Sequence, residues 1–472
     1  MFQHFQDTEL KISGRLLLLI LLLNALNHTQ AQNIPSDKLK SYIETAGRIV
    51  SSALENSKAY SLLNDLCAIG PRLSGSENSI KAIHWTESQM KELGFENIWL
   101  QSVMVPHWVR GNIEEAVIAD GIYSGRKINI CALGGSIGTG KNGITASVIE
   151  VENLNEIDSV KERVKGKIVF INEPMKESLV NTFAAYGRAA GKRVLGAVKA
   201  AQYGAVAVII RSITTKFDNV PHTGVMYYND TIPKIPGTAA GYKDSDFLTK
   251  ALKEDPELKL RIKISCSTLP DAQSYNVIGE IKGSEFPEQV IVVGGHIDSW
   301  DKGTGAHDDG AGCMQSMEVL DLFSRLNLKP KRTIRCVLFI NEENGSRGAE
   351  AYGVYADTAN EKHIAAIESD AGAFTPRGFS VSADSTVIAK LKGWLPVLRI
   401  CNIEEVEKGG SGADINDIKN AKALIGYHPD GQRYFDFHHS ANDVLEAVNP
   451  RELELGSAAI AVLAYLISEE GL

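Results

Sequence analysis

Residues 294–312 read GGHIDSWDKGTGAHDDGAG, a loop in which His296, Asp298, Asp301, His307, Asp308 and Asp309 stand among glycines. Carboxylates packed together repel and push one another's pKa values up, and a divalent cation relieves that repulsion. Three further clusters have the same character: Asn341-Glu342-Glu343-Asn344-Gly345, Glu368-Ser369-Asp370-Ala371-Gly372 and Phe437-His438-His439-Ser440. Each alone has a bland reading, with Asp298 as a turn former, Glu342-Glu343 as a solvated helix start and His296 as a satisfied structural histidine. Together they suit a metal. Imidazole with carboxylate fits zinc, and a catalytic zinc keeps one position open for water. Two ions ~3.5–4 Å apart would share a carboxylate and clamp both the attacking and the departing atoms of a hydrolysis.

Strands must position these residues. The run Glu288-Gln289-Val290-Ile291-Val292-Val293 reads as a buried strand ahead of the first loop, and Cys313, Met317 and Leu320 recur at helical spacing after it. The apolar runs 333–340, 364–367 and 421–426 precede the other three clusters. Loops at the carboxyl ends of parallel strands are where α/β sheets place ligands, so all four clusters are expected on one rim of one sheet. The fold class expected is therefore α/β, a mixed central sheet flanked by helices. Helical patterns also occupy about 32–60 and 79–93, separated by the turn-forming Gly70-Pro-Arg-Leu-Ser-Gly75. From 113 to 270 the texture changes to short β runs with an Ala-rich helix ending at Gly204, which predicts a β-rich domain inserted into the α/β one, itself formed by 51–112 and 271–472.

Composition sets the class. The 472 residues allow two or three domains with real cores, and 23% charged with 44% hydrophobic residues is ordinary for a folded chain. A formal net charge of −9 with no basic block excludes nucleic acid as the expected partner. Lys11 and Arg15 precede a leucine-rich run over 16–23, followed by Thr29-Gln30-Ala31, which reads as a signal peptide over 1–31 and predicts a secreted protein. That run is shorter than the ~20 residues a membrane span needs, so no span is expected in the mature chain. The six cysteines show no metal-binding spacing, and few or no disulfides are expected. Asn229-Asp-Thr231 is a glycosylation candidate, whereas the sequon at Asn344 lies beside the acidic pair. Gly138-Thr-Gly-Lys-Asn-Gly143 imitates a nucleotide-binding loop, but a strand-like stretch follows where a helix must begin.

The pattern His296-x-Asp298, Asp308-x-Gly-x-Gly312, Glu342-Glu343, Asp370 and His439-Ser440-x-x-Asp443 resembles the co-catalytic two-zinc exopeptidases, the family of bacterial leucyl aminopeptidase and glutamate carboxypeptidase. Pro106-His-Trp108, Ser136-Ile-Gly-Thr139 and Pro221-His-Thr-Gly224 extend the likeness along nearly the whole mature chain. The resemblance implies a zinc exopeptidase, phosphorylase/hydrolase-like fold and an inserted protease-associated domain. It also implies a propeptide, here placed at 32–50, a homodimer and a secreted or lysosomal life. It implies two Zn2+ per subunit, one held by His296, Asp370 and bridging Asp308, the other by His439, Glu343 and the same Asp308. Glu342 would be the general base, and Asp298 would accept a hydrogen bond from His296. The choice of His439 over His438 follows the family, whose ligand directly precedes Ser or Thr. Val444 departs from the Thr usual after Asp443, and Asn344 from the residue usual after the Glu pair. The expected substrate is a small peptide, most simply a dipeptide with both ends free. The alternatives are an aminopeptidase with the same metal centre and a binding protein on a catalytically dead peptidase scaffold.

Overall fold

The computed structural model describes residues 35–472, so the expected signal peptide lies outside the described residues. Eight strands build the central sheet: β1 (Glu96–Val109), β2 (Ser267–Ile281), β3 (Phe286–His296), β4 (Arg332–Phe339), β5 (Lys362–Glu368), β6 (Pro376–Ser382), β7 (Glu405–Lys408) and β8 (Leu424–Pro429). Their spatial order is β1-β2-β4-β3-β5-β8-β6-β7. The four central strands β4, β3, β5 and β8 run parallel, and antiparallel neighbours flank them on both sides. This is the mixed α/β sheet expected. Apolar runs form its middle because both faces are covered. In β3, Ile291 and Val293 enter one core cluster, while Val290 and Val292 enter the cluster on the opposite face.

One face is covered by α1 (Ser36–Asn56), α2 (Ala59–Ile69), α3 (Glu77–Glu92), α5 (Ala311–Arg325) and α7 (Pro450–Glu470); α6 (Arg347–Thr358) covers the other. Asn449 starts α7 by accepting from the Arg451 and Glu452 amides, and Pro450 sits in the first turn. The expected propeptide boundary at residue 50 falls inside α1. Tyr42, Ala46, Ile49 and Ala53 of this helix are buried in the main core, so a cut at 50 would divide the helix and strip three of them from it.

A second eight-stranded sheet is made entirely of strands between residues 114 and 264, and it branches from the long antiparallel pair β1–β2. Its outermost strands, Lys127–Ile128 and Ile130–Ala132, are adjacent in sequence, so the sheet curls until its ends nearly meet. It carries two core clusters, one of which also takes in Leu73, Trp108 and Trp300, and the helix α4 (Thr182–Ala201), capped by Asn181. All six cysteines are buried and unpaired. No helix among the described residues is long and apolar enough to cross a membrane.

Candidate metal centre

The rim where β3, β4, β5 and β8 end gathers all four polar clusters. His296 is the last residue of β3 and pairs in register with Phe339 of β4, while Gly294 pairs with Glu368 at the end of β5. The loops that follow therefore start side by side. Asp308 lies between two groups of side chains. Its Oδ1 is 3.3 Å from His296 Nε2, which is 3.6 Å from Asp370 Oδ1. Its Oδ2 is 3.4 Å from His439 Nε2, which is 3.1 Å from Glu343 Oε2. His438 Nε2 is 3.8 Å from Asp308 Oδ2, and its ring stacks on that of His439 with centroids 3.5 Å apart. Of the two histidines, His439 is the one near both the Asp308 and the Glu343 carboxylates.

Whether these residues fit a cation is answered by their unmet polar atoms. His296 Nε2, Asp308 Oδ2 and Asp370 Oδ1 are buried with no hydrogen-bond partner. Buried polar atoms are otherwise almost always paired, so orphans converging on one point need a ligand. Burial pushes Glu343 well above the ordinary carboxylate range and raises Asp370, with the neighbouring Asp308 charge adding to both. Burial alone would depress His296, yet Asp308 and Asp370 hold it well above the ordinary imidazole value. Burial also raises Asp308, but His296 and His438 outweigh it and leave Asp308 below its usual value. Burial keeps His439 well below its usual value, so its ring is neutral and offers a lone pair. In the metal-free chain, protons thus partly do the work of a cation. Metal ligation releases them, because ligands bind deprotonated.

Glu342 stands apart. Its carboxylate has no hydrogen-bond or ion-pair partner among the described residues, and burial, with Asp370 and Asp308 adding to it, pushes it up to about 8. Its main chain is fixed by Asp298, whose Oδ1 accepts from the Asn341 amide at 2.7 Å and the Glu342 amide at 3.2 Å. Asp298 meets His296 through its main chain rather than its carboxylate. His296 Nδ1 lies 3.0 Å from the Asp298 carbonyl oxygen and 3.8 Å from its carboxylate, because the two backbone amides across the strand end have claimed that carboxylate.

Several supports were not legible as such in the sequence. Asp309, directly after Asp308, is held by two amides: its Oδ2 accepts from the His296 amide and its Oδ1 from the Gly312 amide, both at 3.0 Å. Asp443 accepts from the amides of His307 at 2.7 Å and Asp308 at 3.2 Å. Buried Arg72, in the turn before α3, donates to the carbonyls of Ile297, Thr304 and Gly305 and so shapes the loop carrying Asp308. The second sheet reaches the site as well. The Thr223 amide donates to the His439 carbonyl at 2.9 Å, and His222 Nδ1 lies 2.7 Å from the His438 carbonyl. These contacts hold His439 at φ +61°, a left-handed conformation that non-glycine residues rarely adopt. The motif Pro221-His-Thr-Gly224 was the available signal for them. Asn344 is buried and hydrogen-bonded to Ser74 and Asn341, whereas Asn229 is exposed.

Fold and rim together define a metal-assisted hydrolase, and residues 276–464 match peptidase family M28. The chain is 34% identical to mouse carboxypeptidase Q over 438 residues, which is 92% of this chain and 91% of that one, and 36% identical to the human protein over 406 residues, 85% and 83% of the two chains. A peptidase M28 precursor from Shewanella amazonensis SB2B superposes with a TM-score of 0.87 at 32% identity, covering 92% of this chain and 98% of that one. A zinc aminopeptidase from Bacillus subtilis shares the fold, with a TM-score of 0.61 at 20% identity over 88% and 95% of the two chains. The chain belongs to peptidase family M28 and is a peptidase.

Proposed function

We propose that the protein is a two-zinc exopeptidase that hydrolyses small peptides, most simply dipeptides with both ends free. The observation that carries this is the double-faced Asp308, each of whose oxygens meets a different histidine–carboxylate pair. His296, Asp370 and Asp308 would hold one ion; His439, Glu343 and Asp308 the other. What zinc supplies in such a nest is Lewis acidity, which acidifies a water and polarises a carbonyl. The chain's own contribution is proton traffic and alignment. Glu342, unpartnered and anchored through its amide by Asp298, takes the proton of the attacking water and delivers it to the leaving amine. Asp443, Asp309 and Arg72 keep the ligand loops in register so that no reorganisation is needed at reaction.

The same reading makes 51–112 and 271–472 the peptidase domain and 113–270 an inserted protease-associated domain. It takes the protein to be secreted or lysosomal, glycosylated at Asn229 and homodimeric. The carboxypeptidase Q relatives support a carboxypeptidase-type preference over an aminopeptidase one. Glu342→Gln provides the test: turnover should fall at least ~100-fold while zinc content by elemental analysis stays at two ions per chain. Full activity in a chelated sample, or in Glu342→Gln, would sink the mechanism. Efficient cleavage of C-amidated peptides would favour the aminopeptidase alternative.

A further inference from the structure

We propose that a long cationic side chain on the amino-terminal residue of the substrate, a lysine or an arginine, is held in a trough beside Asp370 by His428, Glu405 and Glu407. The inference rests on the peptidase reading and names the class of side chain that the same site selects. A cavity of about 480 Å³ opens at Asp370 and Ala371 and is lined further out by Phe183, Ser380 and His428. Those last three residues also line a second cavity of about 410 Å³, which continues to Glu405 and Glu407 on the edge strand β7. Strand register explains the hollow. Gly378 of β6 pairs with His428 of β8 and with Glu405 of β7, and Ser380 pairs with Gly426 and Glu407. Residues in register share a face of the sheet, while the alternate residues Phe379, Tyr427 and Val406 enter the main core on the other face. Gly378 and Gly426 therefore leave a floor without side chains between the histidine and the glutamates. Glu405 leans over it, since a Cβ on Gly378 would lie 2.5 Å from Glu405 Cγ.

The chemistry of the trough asks for a donor. Ser380 Oγ donates to the Gly410 carbonyl, so in its 2.6 Å contact with His428 Nε2 the ring N–H is the donor. Desolvation lowers His428, which keeps the ring neutral and leaves Nδ1 a lone pair. Arg377 in the same lining is matched by Asp430 at 2.9 Å, which leaves Lys408 as the lining's one cation, among the described residues, against Glu405 and Glu407. Lone pairs and an excess of carboxylate repel a free α-carboxylate, so the residue of a dipeptide that belongs here is the one bearing the amine. Phe183, 39% exposed, offers an apolar wall to an aliphatic stem and a ring face to its charged head. Thr182 fixes that wall by donating to the Gly431 carbonyl at 2.7 Å.

The experiment uses the zinc-loaded full chain with lysyl-alanine, norleucyl-alanine and alanyl-lysine, the second of which keeps the lysine stem without its charge. The wild type should favour lysyl-alanine over norleucyl-alanine about 10-fold in kcat/KM, chiefly through KM, and the ratio should shrink as salt rises. In the double variant Glu405→Gln/Glu407→Gln, kcat/KM should fall about 5-fold more for lysyl-alanine than for norleucyl-alanine, and His428→Leu should cut the same ratio by a smaller factor. Both glutamates are exposed, so the double variant leaves the core untouched. Wild-type ratios near unity, equal losses on the two peptides in the double variant, or a preference for alanyl-lysine would overturn the inference alone. A wild type that cleaves none of the three with zinc bound would overturn the peptidase reading, and this inference with it.

Discussion

At the scale of single residues, the division of labour around Glu342 is the sharpest result. The position of two adjacent glutamates at the end of an apolar run was legible, whereas the ligand and base roles proposed for them came from the family resemblance and not from their spacing. The role of Asp298 was not legible, since nothing in its spacing distinguishes a side chain that meets an imidazole from one that meets two amides across the sheet. The two roles predict different damage. With Asp298→Ala, the turn carrying Glu342 loses two hydrogen bonds, so kcat should fall roughly 10–100-fold while zinc affinity changes less, because His296 retains the Asp298 carbonyl. Metal titration beside steady-state kinetics distinguishes this from His296→Ala, which should lose metal. A fall in affinity with kcat preserved would restore the orienting role.

At the scale of elements, the strand ends were readable and the approach of helix to strand was not. Runs such as 290–293 are apolar on both faces, which only a doubly covered parallel strand requires. The consequence for α5 appears only in three dimensions. A Cβ on Gly312, in its first turn, would lie 1.8 Å from the Ser369 carbonyl and 2.5 Å from the Asp309 carboxylate. Gly312→Ala must push β5 and α5 apart, and overpacking of this kind costs about 1–3 kcal/mol or more. Chemical denaturation should show that loss, with activity falling alongside. The contacts of Thr223 and His222 with the His439 loop were illegible for a related reason, because they join positions about 216 residues apart that no local period connects.

At the scale of the molecule, the buried acids make stability depend on pH in a direction set by metal. Burial raises Glu342 and Glu368 to about 8 and Asp443 to about 7 in the metal-free chain, above their ordinary values of 4.5, 4.5 and 3.8. Between those limits the folded state holds protons that the unfolded state lacks, so stability is full at low pH and is lost as pH rises through about 7–8. Zinc replaces the protons on the ligand carboxylates and their neighbours and should flatten that loss. Melting temperatures from about pH 5 to about pH 8 should fall more steeply in chelator than in zinc. Parallel curves would mean that these acids are not what the cation relieves.

The Thr223 amide and the His222 ring, which meet the carbonyls of His439 and His438, carry one more implication. Ligand occupancy at one end of a thermodynamic cycle stabilises whatever is bonded to the occupied form, so chelation should loosen the backbone of 212–224 as well as the catalytic rim. Deuterium uptake in that stretch would then serve as a remote gauge of ion loading, readable without any substrate.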